Sequence, residues 1–218
     1  MPLAQVTSPE PATWPALVVS LVVGFYWARV VKMAWKARAS HRGHLLPPED
    51  IGRKLRLLWG PVVALWVALP LLMWLRWGPP IIHAPLIASP APRIAGAIIV
   101  IACLICTWHC WKLMGRHWRM GIDPTEANAL LTSGPWGYVR HPIYSLSILM
   151  AIGTWLAAPS GVLCAVIATH ICFILWEAVR EEGHLQKVHG DAYRHYQQRT
   201  GMLLPIFRRS PAKSGDVI

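Results

Sequence analysis

Five apolar stretches constrain what this chain can fold into: Pro15 to about Trp35, Leu57 to about Trp77, Arg93 to Met114, Pro142 to Ala158, and Val162 to about Val179. A helix needs about 20 apolar residues to cross the hydrocarbon core of a bilayer. Inside that core every backbone N–H and C=O must be satisfied within the chain, which selects helices here. The expected fold is therefore an all-α integral membrane protein with about five transmembrane helices and a cytoplasmic C-terminal amphipathic helix. Composition agrees, since only 14% of residues are charged and mean hydropathy is +0.40. Thirteen tryptophans suit a chain with long interfacial boundaries.

The net charge of +11 would point to nucleic acid in a soluble domain. Here the basic residues sit beside the spans, so the positive-inside rule accounts for them and no nucleic-acid partner is expected. Loop one holds Lys36, Arg38, Arg42, Arg53, Lys54 and Arg56, and loop three holds Arg116 and Arg119. Loop two, Gly78 to Pro92, is rich in proline and uncharged. This asymmetry places the N-terminus outside and the C-terminus in the cytoplasm. Met1 to Trp14 lack a basic n-region, so no cleavable signal peptide is expected. Pro61 and Pro70 are expected to kink the second span, which membrane helices tolerate.

Polar groups gather at one hairpin. The stretch Ser133-Gly134-Pro135-Trp136-Gly137-Tyr138-Val139-Arg140-His141-Pro142-Ile143-Tyr144 runs from a turn into an apolar helix. Pro142 fits the first helical turn, with His141 at the cap. Ala158-Pro159-Ser160-Gly161 is a tight turn, so the fourth and fifth spans must pack antiparallel. Arg180-Glu181-Glu182 then leaves the membrane on the side where Arg140-His141-Pro142 entered. After Glu182 the chain becomes polar, and Leu185, Val188, Tyr193 and Tyr196 predict a separate amphipathic helix to about Arg199.

These two motifs, with Gly190-Asp191-Ala192-Tyr193, Tyr196 and a late Pro205, resemble the isoprenylcysteine carboxyl methyltransferase and phospholipid methyltransferase superfamily. The resemblance covers about Leu113 to Pro205. It implies three parts: N-terminal helices over 1–112, a cofactor-binding region over 113–205 and a tail over 206–218. It also implies an S-adenosylmethionine-dependent methyltransferase acting on a small membrane-resident acceptor, lipid or prenyl-type, at the cytoplasmic face of a bacterial inner membrane or the endoplasmic reticulum. Cofactor contacts are implied at Asn128, Ala129, Leu130 and Leu131, at Trp136, His141 and Tyr144, and at Glu181. The residues themselves point the same way. Arg140 and the free N–H groups at the helix start, by Pro142 and Ile143, suit a carboxylate. Glu181 or Glu182 suits an ammonium or ribose hydroxyls, and Trp136 and Tyr144 offer aromatic faces to adenine or a sulfonium.

The chain departs from the family at three places. Prenylcysteine methyltransferases carry a basic residue one turn before the first Glu of the pair; here that position is Glu177. Leu146 stands where the family often has Gly, and His189 replaces a Phe. Glu177 and Arg180 are the candidate catalytic residues. Glu177 shares a helix face with Glu181 and lies about 6 Å deeper, where an acid favours an amine acceptor or acts as a base. The structural alternative pairs Glu177 with Arg180 or with a basic residue of another span. Rival functions are a membrane reductase related to sterol reductases and using NADPH, and a non-catalytic membrane factor on the same fold. Cys103, Cys106 and Cys110 recur on one helical face but read as packing residues, and no metal site is expected.

Overall fold

The structure, a computed structural model, describes residues 13–39, 50–115 and 130–206. Its helices are α1 (Trp14–Ala39), α2 (Asp50–Leu75), the single turn α3 (Pro80–His83), α4 (Pro90–Met114), α5 (Pro142–Ala157) and α6 (Gly161–Arg199), with a 3-10 turn at Gly134–Gly137. Among the described residues the only extended pairing is one parallel bridge between Val139 and Gly201. Four helices, α1, α2, α4 and α6, are long and apolar enough to cross a membrane. The all-α membrane fold stands.

α5 is the short member. Its 16 residues span about 24 Å, less than the roughly 30 Å hydrocarbon core. Both ends are fixed by sequence. Pro142 occupies the first turn, and Ala158-Pro159-Ser160 ends the helix and turns the chain back. Ser160 caps α6, its side chain accepting from the Leu163 N–H, and its carbonyl accepts from Trp155 Nε1. The antiparallel hairpin expected from the tight turn is formed by α5 and α6.

α2 is a single helix that contains Pro61 and Pro70. One local expectation changes. The expected boundary after Glu182 is absent, because α6 runs on through Gly183 as one helix. Glu181, Leu185, Gln186 and Lys187 are all good helix formers, and no proline or cap interrupts them. The only break is at Gly190, whose φ of 53° is accessible to glycine at little cost. α6 has 39 residues, roughly 58 Å if straight, so it crosses the membrane and continues beyond it.

The closest helix pair is α4 with α5. A Cβ added at Gly96 would sit 2.4 Å from the Gly153 carbonyl oxygen and 2.6 Å from the Ala157 nitrogen. Two helices that approach this closely need glycine, the small-residue packing that drives association where lipid offers no hydrophobic contrast. On the other side of α5, a string of polar groups crosses the bundle. Trp59 Nε1 donates to His170 Nδ1 at 3.1 Å. His170 therefore carries its proton on Nε2, which lies 3.1 Å from Ser147 Oγ. Trp27, Trp59 and Trp66 pack around the His170 ring. Pairing of this kind is what lets polar side chains stay in a bilayer. Cys103 and Cys110 are buried and Cys106 is exposed; among the described residues no cluster fit to hold a metal is found.

The Gly96 contact generates a stability prediction. Gly96→Ala should cost about 1–3 kcal/mol through overpacking. Gly60→Ala, where no atom lies within 4 Å of the added Cβ, should be neutral or stabilising. Thermal melts of both variants in detergent check this, and equal melting temperatures would show that α4 and α5 do not meet so tightly.

Candidate active site

The start of α5 and the middle of α6 meet at one end of the hairpin, and a carboxylate ties them. Glu182 accepts from Arg140 Nε and Nη2, both at 2.8 Å. It also accepts from His141 Nε2 at 2.8 Å, the Tyr193 hydroxyl at 2.7 Å and Gln197 Nε2 at 2.8 Å. A bidentate guanidinium–carboxylate pair in a half-buried setting is among the stronger contacts a protein makes. Burial works against the charge on Arg140, but the Glu182 hydrogen bonds and charge outweigh it and raise the Arg140 pKa above its ordinary value. Arg140 Nη1 also donates to the carbonyls of Gln197 and Thr200. Every donor of Arg140 that faces inward is thereby used within the protein.

The chain beyond α6 returns to the same place. Arg140 N donates to Gly201 O at 2.8 Å and His141 N to Met202 O at 3.0 Å. Ser145 Oγ donates to Leu203 O at 2.7 Å. Gly201 has no room for a side chain, since a Cβ there would meet the Leu204 carbonyl oxygen at 1.8 Å. Tyr196 closes the assembly by donating to the Trp136 carbonyl at 2.5 Å. The Gly-x-x-Tyr-x-x-Tyr motif is thus a clasp: Tyr193 binds Glu182, Tyr196 binds the Gly-Pro-Trp turn, and Gly190 supplies the bend between them and the membrane helix.

What the clasp leaves available is smaller than the expected set. Glu181 keeps a side chain 37% exposed, against 13% for Glu182. Its Oε2 lies 3.6 Å from His141 Nδ1. The rings of His141 and Tyr144 stack at 5.4 Å and 14°. His141, Tyr144 and Glu181 therefore form one mouth. Arg140 and Glu182 instead face each other, and Trp136 is buried with its carbonyl engaged. Pro142 is buried and Ile143 half-buried at the start of α5. Leu130 is half-buried and Leu131 exposed; Asn128 and Ala129 lie outside the described residues.

Glu177 is reached by two arginines. Arg56 Nη2 of α2 donates to its Oε1 at 2.6 Å, and Arg180 Nη1 donates to its Oε2 at 3.2 Å. The expected cationic partner of Glu177 is thus supplied by the protein, and the structural alternative for Glu177 and Arg180 is the arrangement observed. Arg180 also lies over the Trp176 ring, 4.6 Å from its centroid. Arg56 was visible in the sequence only as one more basic residue of loop one. The signal that singles it out is its place at the start of a span on the same membrane side as Glu177.

With this geometry in view, similarity to known proteins is informative. The phospholipid methyltransferase family model matches residues 92–192. Over 74 residues, 34% of this chain, the sequence is 42% identical to a methanethiol S-methyltransferase of Pseudomonas deceptionensis, covering 27% of that protein. It is 26% identical over 113 residues, 51% of this chain, to the nickel-cobalt-cadmium resistance protein NccN of Alcaligenes xylosoxydans xylosoxydans, covering 52% of it. It is 34% identical over 82 residues, 36% of this chain, to the Delta(14)-sterol reductase LBR of Gallus gallus, covering 13% of it. The chain thus spans about half or less of the length of these relatives. No solved structure matches it. The family model and the methanethiol relative support the membrane methyltransferase superfamily.

The clasp makes a testable hierarchy. Arg140→Gln leaves a half-buried carboxylate short of its charged partner and should cost about 3–5 kcal/mol. Tyr193→Phe removes one hydrogen bond to a charged group, about 1.5–3 kcal/mol. The double variant should lose less than the sum, with a coupling of about 0.5–3 kcal/mol. Denaturation in detergent of the two single variants and the double variant measures it.

Proposed function

Taking a membrane methyltransferase superfamily domain over residues 92–192 as the premise, we propose that this chain is an S-adenosylmethionine-dependent methyltransferase acting on a small membrane-resident acceptor. The observation that carries the reading is the division of labour in the Glu pair. Glu182 is consumed by the clasp, while Glu181 stays accessible beside His141 and Tyr144. S-adenosylmethionine supplies an activated methyl on a sulfonium and also carries an ammonium, a carboxylate and an adenine. Those groups fit what the mouth presents: a carboxylate for the ammonium, a stacked aromatic pair for a ring or cation, and the first-turn N–H groups of α5 for the carboxylate. Arg140 and Glu182 hold this mouth in place without touching the cofactor. The basic residues of loops one and three support a mouth on the cytoplasmic side.

The protein's contribution is chiefly orientation, which in favourable cases supplies about 7–11 kcal/mol of the barrier. The acceptor side differs from the sequence expectation. Glu177 lies between two arginines, so this cluster holds two cations and one carboxylate and favours an acceptor that develops negative charge. A small thiol is such an acceptor, because the thiolate is its reactive form and cations stabilise it. The relative that acts on methanethiol lends the same weight. This replaces the amine preference drawn from Glu177 alone.

Calorimetry on purified protein in detergent tests the cofactor. S-adenosylmethionine and S-adenosylhomocysteine should bind, and Glu181→Gln should weaken both at least about tenfold, or 1.4 kcal/mol. Binding of NADPH in their place would move the chain to the reductase reading. For the acceptor, methyl-labelled cofactor should be offered with thiol, amine and carboxylate lipids in parallel. Arg56→Gln should lower turnover on the thiol about tenfold or more while leaving cofactor affinity unchanged. Equal turnover in that variant would remove Arg56 from the acceptor site.

A further inference from the structure

The opposite end of the bundle, where α1, α3 and α4 begin and α2 and α5 end, holds a cavity of about 230 Å³. Its polar lining is two arginines and a histidine, Arg76, Arg93 and His83, with Thr13 and no carboxylate. Met73 and Ala157 form part of its apolar wall. The volume is below the roughly 300–1,000 Å³ of pockets for drug-sized ligands, so it suits a headgroup-sized ion.

Each of these three side chains is placed at some cost. Arg93 is only 5% exposed and lies in the first turns of α4, where the helix dipole disfavours a positive charge. Its Nε and Nη2 both donate to one carbonyl, Ile87 O, at 3.3 and 2.8 Å. Arg93 also lines the cavity. His83 Nε2 is buried with no hydrogen-bond partner. Arg76 is the one non-glycine residue with positive φ among the described residues, at 57°. It occupies the left-handed position that ends α2, where glycine is usual. Here Trp77 N bonds back to Leu72 O at 3.0 Å. Strain of this kind collects where a side chain must be aimed.

An anion would balance the buried Arg93 charge and give His83 Nε2 a partner, and an arginine fork matches the oxygens of a phosphate. Exposed Trp14, Trp74 and Trp77 ring this end of the bundle, marking it as the headgroup level. We propose that the cavity is a phosphate-binding site at the membrane face opposite the methyl-transfer mouth, taking the phosphate of a lipid headgroup or free phosphate. It is independent of the methyltransferase reading.

The test uses the full chain in detergent, with three probes in calorimetry: dihexanoyl phosphatidylglycerol, inorganic phosphate, and dihexanoylglycerol, which lacks the phosphate. The wild type should bind the phospholipid and not the diacylglycerol. Arg93→Gln and His83→Gln should each weaken that binding at least about tenfold. Inorganic phosphate binding as tightly as the phospholipid would support the site and make free phosphate its occupant. If Arg93→Gln does not fold, the less buried His83→Gln carries the test. Its S-adenosylmethionine affinity, equal to that of the wild type, shows that its fold is intact. Binding of the diacylglycerol as tightly as the phospholipid would overturn the proposal, and so would variants that bind like the wild type or a wild type that binds none of the probes. Failure of the wild type to bind S-adenosylmethionine would sink the methyltransferase reading and leave this result standing.

Discussion

The Glu182 carboxylate is the interaction on which the rest of the site depends. From its place in the middle of α6 it gathers donors from the start of α5 and from beyond the Gly190 bend. Without it, the two ends of the hairpin would keep the His141–Glu181 contact, the Arg140 bonds to the Gln197 and Thr200 carbonyls and the returning chain at Gly201 to Leu203, with no shared carboxylate at their centre. The arrangement also explains how two adjacent glutamates can have opposite fates. Consecutive residues on a helix point about 100° apart, so one can turn inward to the clasp while its neighbour faces the mouth.

The same constraint, that charge near a bilayer must be matched, shapes the second cluster. Glu177 lies one turn deeper than Glu181 and is buried. It is matched twice, once across the bundle by Arg56 and once along its own helix by Arg180. Breaking one partner of such a buried set is costly. The cluster thereby fixes α2 against α6 and gives the interior beside the mouth its charge. Deeper still, polarity is handled by uncharged partners, as Trp59 and Ser147 bond the two ring nitrogens of His170.

Much of this was legible in the residues. The apolar runs announced the helices, and the turn at Ala158 to Ser160 announced the hairpin. Counting spans put Arg140-His141-Pro142 and Glu181-Glu182 on one side. The roles inside the motifs were less legible, because sequence spacing shows which residues can meet but not which donor reaches which acceptor first. Arg140 and Glu182 looked like ligand-binding groups because both are charged and near the mouth; spacing did not show that they bond each other. Glu177 looked like an acid facing the acceptor because Arg56 is 121 positions away and nothing local links the two. The continuation of α6 past Glu182 was hidden by a change in polarity, which marks where a helix leaves the membrane and not where it ends.

That continuity has a mechanical consequence. From the Ser160 cap at one membrane face to Gly190 beyond the other, α6 is a single rod. Glu177, Glu181 and Glu182 are fixed along it like marks on a ruler, so they cannot shift relative to one another. Any tilt of the rod moves all three past His141 in step. The bend at Gly190 lets the Tyr193 and Tyr196 segment act as a latch at the rod's free end. Tyr193 and Tyr196 fasten that end to Glu182 and to the Trp136 carbonyl.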